Sequence, residues 1–146
     1  PIRQNVEDSE IKMPFEPPVY ANPIPHKVIN PATGSREISH CIESGEVTYS
    51  VAADTGKIWF QDANIIYGAR NSQHYFITEG DALSARIEYR SEFSFERDKW
   101  NVRTESALST SCDAHNFFLK GHIFAYEGGK KVFTRYWNVS IPRTIF

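Results

Sequence analysis

The chain has 146 residues, enough for one domain, and its 16 basic and 18 acidic residues leave a net charge of −2. With 40% hydrophobic and 14% aromatic residues it can offset the entropy of ordering, so a folded body rather than a disordered chain is expected. There is no global field to attract phosphate backbones or anionic lipid, and no apolar run reaches the roughly 20 residues that span a bilayer as a helix. Neither nucleic acid nor membrane is expected as a partner. A soluble, cytoplasmic protein is the expectation, because the start, Pro1-Ile2-Arg3-Gln4-Asn5, lacks a signal peptide's apolar core.

From residue 1 to 33 the sequence holds Pro14, Pro17, Pro18, Pro23, Pro25 and Pro31. Each removes a backbone donor and fixes φ, so this stretch reads as an extended arm packed on the domain, with Phe15, Val19 and Tyr20 as its apolar contacts. From residue 34 to 146 short runs of period two dominate. Glu46 to Val51 alternates, and Asp54-Thr55-Gly56-Lys57 reads as a turn leading to Ile58-Trp59-Phe60. Ile65 to Arg70 has room for a helical turn.

In Arg86 to Glu96 the odd positions are mostly apolar and the even ones polar, which places one face on a core and the other in water. A turn at Asp98-Lys99 and renewed alternation from Trp100 to Ser106 predict a long hairpin. Phe117 to Tyr126 is apolar on both parities and reads as a strand covered on both sides. Glu127-Gly128-Gly129-Lys130 fits a two-residue loop whose central positions need φ > 0, and Val132 to Trp137 returns. The sum is an all-β antiparallel meander forming a curved β-sandwich or partial barrel, with at least four consecutive strands between Leu83 and Val139.

No catalytic motif stands out. There is no G-x-S-x-G elbow, and Gly34-Ser35 and Glu43-Ser44-Gly45 sit in turns of a β pattern with no helix behind them. Cys112-Asp113-Ala114-His115 brings together a thiol, a carboxylate and an imidazole, but Asp113 reads as a turn cap. His26, His40, His74, His115 and His122 are scattered at no metal-ligand spacing, so no metal and no cofactor is expected. Glu88 and Glu92 share the polar face of one strand with Arg86 and Arg90, a solvated face of mixed charge. Cys41 and Cys112 follow no C-x-x-C pattern and read as two buried, reduced thiols. Asn138-Val139-Ser140 is a chance glycosylation sequon.

Several blocks carry a family resemblance. They are Met13-Pro14-Phe15-Glu16-Pro17-Pro18, Gly80-Asp81-Ala82-Leu83-Ser84-Ala85-Arg86, Asp98 to Glu105, Asp113 to Phe117, Tyr126 to Arg135, and Ile141-Pro142-Arg143. In order and spacing they resemble the C-terminal region of cocaine-esterase-like hydrolases of the X-Pro dipeptidyl-peptidase superfamily. Ala82 stands where a proline is frequent there, and Lys99 separates Asp98 from Trp100. The resemblance implies a β module downstream of an α/β-hydrolase domain that carries the Ser-Asp-His triad, so no catalytic residue falls in this chain.

The expected function is therefore that of a non-catalytic accessory domain acting in packing or substrate access. Phe118, Phe124, Tyr126 and Trp137 are its candidate interface or ligand-facing residues, and an α/β-hydrolase domain or a second copy its candidate partner. A barrel-like binder of a small apolar ligand is the alternative, and a stand-alone enzyme with a fold-assembled site comes third.

Overall fold

The structure, a computed structural model, describes residues 19–144. Alternating sequence becomes strand almost throughout. The eight strands are β1 (His26–Asn30), β2 (Thr33–Cys41), β3 (Glu46–Phe60), β4 (Ile65–Thr78), β5 (Asp81–Arg97), β6 (Trp100–Cys112), β7 (Asn116–Glu127) and β8 (Lys130–Pro142). All pairings are antiparallel, and from β3 to β8 each strand pairs with the next, giving one open sheet. The all-β meander is thus as expected, with no helix among the described residues.

Two predicted turns hold. Arg97 pairs with Trp100 across Asp98-Lys99, where Asp98 takes φ +53°, a conformation open to Asp. Glu127 pairs with Lys130 across Gly128 and Gly129, at φ +54° and +80°, as a primed two-residue turn requires.

The turn expected at Asp54-Thr55-Gly56-Lys57 is instead a bulge inside one 15-residue strand. Asp54 Oδ1 accepts from Gly56 N at 2.8 Å, and Thr55 Oγ1 both accepts from Ala69 N and donates to Ala69 O across the gap in the ladder. Local side-chain bonding thus satisfies the chain without reversing it. Opposite the bulge, β1 and β2 lie end to end along β3 and break at Asn30-Pro31-Ala32. They are two halves of one interrupted edge. Gly56, at φ +67°, is needed there, since a Cβ would meet Asn30 O at 2.1 Å and Pro31 O at 2.6 Å.

Other expectations are corrected. The stretch 65–70 is the start of β4, not a helical turn. The segment expected as an arm contains β1, and Tyr20, expected to be packed down, is 86% exposed; Phe15 lies outside the described residues. Cys41 is exposed and Cys112 half-exposed, both free. Among the described residues no second layer covers the sheet: only Gly68, Ala69 and Ser91 are buried, and β7 is not covered on both sides.

Candidate functional site

Cross-strand partners point to the same side of a sheet, so the register sorts every side chain onto one of two faces. One row runs Ile38, Tyr49, Tyr75, Ile87, Thr110, Leu119, Val139 from β2 to β8. Its face also carries Ile58, Tyr67, Phe93, Phe95, Leu108, Ile123, Phe133 and Trp137. Most of the large exposed apolar side chains of the strands belong to it. A depression of about 380 Å³ lined by Tyr49, Tyr75, Ile77, Ile87 and Phe117 opens on it. A polar row, Asn71, Ser91 and Ser106, also crosses it, and Ser91 Oγ and Ser106 Oγ lie 2.8 Å apart.

The opposite face is polar and laced with ion pairs. Lys57 reaches Glu96 at 2.5 Å, Arg86 reaches Glu46 at 2.7 Å, Arg70 reaches Asp54 at 3.3 Å, and Arg103 bridges Glu92 and Glu105. These pairs are part-exposed and contribute at most about 1 kcal/mol each, so they keep the face solvated rather than hold the sheet together. The mixed-charge reading of Glu88 and Glu92 stands. Two adjoining hollows of about 950 and 500 Å³ open on this face and share Arg90, Ala107 and His122.

The four aromatic candidates do not form one surface. Phe118, Phe124 and Tyr126 project from the polar face, whereas Trp137, a partner of Gly121, projects from the apolar one. Phe124 stacks on His122 at 4.4 Å and lies under Lys131 Nζ at 3.8 Å. Tyr126 donates its hydroxyl to Glu105 Oε2 at 2.9 Å beneath the Arg103 guanidinium, 4.4 Å from the ring. Desolvation, aided by that Glu105 contact, pushes the Tyr126 phenol above its ordinary value. These rings serve charged neighbours. The apolar surface of the molecule is on the other side.

The Asp113 cap is as expected: Oδ1 accepts from the N–H groups of His115 and Asn116, both at 2.7 Å, and these bonds hold its carboxyl below the usual range. No hydrogen bond joins Cys112 to His115 among the described residues; the Cys112 thiol lies 3.9 Å from Leu83 O instead. Cys41 ends β2 beside the β2–β3 turn, where hydrogen bonds from the Ser44 side chain, then from the Ser44 and Glu43 backbone, lower its thiol pKa.

A further row across β3, β4 and β5 escaped the sequence reading, because it exists only through register. Ser50, His74 and Glu88 are successive cross-strand partners, with Ser50 Oγ 2.9 Å from His74 Nδ1. Glu88 makes neither a hydrogen bond nor an ion pair with His74. The backbone N–H groups around Ser50 are engaged in the ladder, which leaves no oxyanion donors beside it. No cluster of three or more His, Cys, Asp or Glu that could hold a metal occurs among the described residues. Comparison with known proteins returns no family model, no curated protein and no solved structure that matches this chain.

Proposed function

We propose that this chain is a non-catalytic β accessory module that packs its apolar face against a larger domain, an α/β-hydrolase domain of the cocaine-esterase-like kind. The observation that carries this reading is the uncovered apolar face. A sheet with one apolar side has to bury it against another layer to be stable. A folded chain of 16.7 kDa exposes about 7,600 Å². This chain exposes 12078 Å².

Even after an allowance of about 3,300 Å² for the twenty residues outside 19–144, the rest stays roughly 2,000 Å² above a compact body of its size. An excess of about 2,000 Å² is more than the roughly 800 Å² that each partner buries in a standard stable interface. The sequence blocks from Gly80 onward select the hydrolase as partner. The 380 Å³ depression beside Tyr49 and Phe117 would take an anchoring side chain. It also supports the second reading, a small apolar ligand, because it falls in the size range of ligand pockets.

The test compares the isolated chain with the same chain joined to an α/β-hydrolase domain of the cocaine-esterase-like kind. The isolated chain should bind anilinonaphthalene sulfonate strongly and associate in sedimentation, and the joined form should do neither. A monomeric isolated chain that binds no dye would sink the proposal. Reversible dimers that exclude the dye would replace the hydrolase with a second copy as partner. The isolated chain should hydrolyse neither activated esters nor X-Pro amides; saturable ester hydrolysis abolished by a single Ser50 or His74 substitution would overturn the non-catalytic reading.

A further inference from the structure

Eight cations project from the polar face; Lys27 stands apart on β1, and most of the others are already engaged. Lys57, Arg70, Arg86 and Arg103 are held by carboxylates, and Lys131 lies over Phe124. Arg90 and Lys120 make no ion pair, side-chain hydrogen bond or aromatic stack with the described residues, and neither ring nitrogen of His122 has a hydrogen-bond partner among them.

The register brings these three together. Arg90 on β5 is opposite Ala107 on β6, which is opposite His122 on β7; Lys120, one same-face position along β7, is opposite Ser109 on β6. Strands lie about 4.8 Å apart, so Arg90 and the two β7 residues stand about 10 Å from each other across two short side chains. That gap is the 500 Å³ hollow. Tyr136 and Asn138, opposite His122 and Lys120, add polar groups on its far side, and the His122 ring is fixed between Phe124 and Tyr136 at 4.4 and 6.1 Å. The one acid in the hollow is Glu88.

We propose that this hollow binds the carboxylate of a small hydroxylated organic acid. The carboxylate sits over Ala107 and Ser109, with Arg90 on one side and Lys120 and His122 on the other. In the smaller hollow two cations face the single Glu88, and the acids of the larger one, Asp54, Glu92 and Glu105, are already held by Arg70 and Arg103, which favours a monoanion over a phosphate dianion. Arg90 presents the planar fork that suits a carboxylate. The remainder of the ligand extends past Arg90 to the near side of the 950 Å³ hollow, toward Ser72 and beside Glu92, a lining that suits hydroxyl groups rather than an alkyl chain. The site lies on the face opposite the apolar one, so it stands or falls independently of the docking reading.

The test is an amide-detected NMR titration of the full chain with sodium gluconate, alongside sodium butyrate and inorganic phosphate. Gluconate should give saturable shifts at Ala107 and Ser109 and bind more tightly than either comparison ion. Arg90→Gln and Lys120→Gln should each weaken it by about tenfold, Glu88→Gln should tighten it a few-fold, and Arg36→Gln on the apolar face should leave it unchanged. Spectra of the variants away from the hollow report whether the sheet is intact. Shifts that stay linear up to concentrations on the order of 50 mM, or gluconate binding unaltered in Arg90→Gln with an intact spectrum, would overturn the proposal. Tighter binding of phosphate than of gluconate would do the same.

Discussion

The two faces of this sheet are built on one backbone ladder and have opposite requirements. On the apolar face Ile87, Phe93 and Leu108 are cut off from water only by their neighbours in the same layer and remain about two-fifths exposed, at 40%, 42% and 41%. On the polar face Lys57, Arg86 and Arg103 reach carboxylates across the strands and are complete as they stand. The difference teaches that a sheet can satisfy its hydrogen bonding, and the charges of one side, within a single layer, whereas apolar burial needs a second layer. Exposed ion pairs contribute little, so the polar face cannot substitute for that missing contact.

The largest expected effect comes from breaking what both faces share. Gly56→Val places a Cβ against the Asn30 and Pro31 carbonyls at a positive φ, and we expect a loss of about 3 kcal/mol or more in urea unfolding. Gly80→Ala, at φ +78° with nothing within 4 Å, should cost only about 1 kcal/mol. Equal effects at the two sites would show that the edge formed by β1, β2 and the bulge is dispensable.

The contrast itself is sharpened by Ile87→Ser combined with Phe93→Ser. Because both side chains are part-exposed in the isolated sheet, unfolding should weaken by no more than about 2 kcal/mol. Dye binding and self-association should fall sharply. A severe loss of stability with association unchanged would mean that these residues belong to a core of the chain itself. On the other face Lys57→Met, which leaves Glu96 part-exposed, should change stability by less than about 1 kcal/mol and leave dye binding as it was.

The smallest effect is a pH dependence at the β6–β7 turn. The His115 and Asn116 N–H groups depress the Asp113 pKa in the fold. Its contribution is therefore present above the unfolded value of about 4 and lost as pH falls through the lower folded one. An NMR titration should place the Asp113 carboxyl below that of an unfolded peptide, and Asp113→Asn should remove this part of the acid sensitivity. A carboxyl titrating at the unfolded value would show that the two bonds do not persist in solution.

Period-two alternation from Arg86 to Glu96 was sufficient to identify β5, since residues two apart share a face whatever lies opposite. Gly128-Gly129 and Asp98-Lys99 were legible for a related reason: a two-residue reversal needs φ > 0, and few residues supply it. The interruption at Asp54 to Lys57 carries the same composition as a turn. Only the Asn30-Pro31 backbone and Ala69 across the ladder make it a bulge, and they are distant in sequence. Parity puts Phe118, His122, Phe124 and Tyr126 on one side of β7, but it does not tell which side of the sheet is apolar overall, because that is summed over rows crossing β2 to β8. The convergence of Arg90, Lys120 and His122 was hidden for the same reason. The sequence by itself determined β5 and the reversals at Asp98-Lys99 and Gly128-Gly129, which are local properties of side-chain alternation and of the backbone. The tertiary structure decided which strand positions meet and which face is left uncovered, because register is a long-range choice that a single strand does not contain.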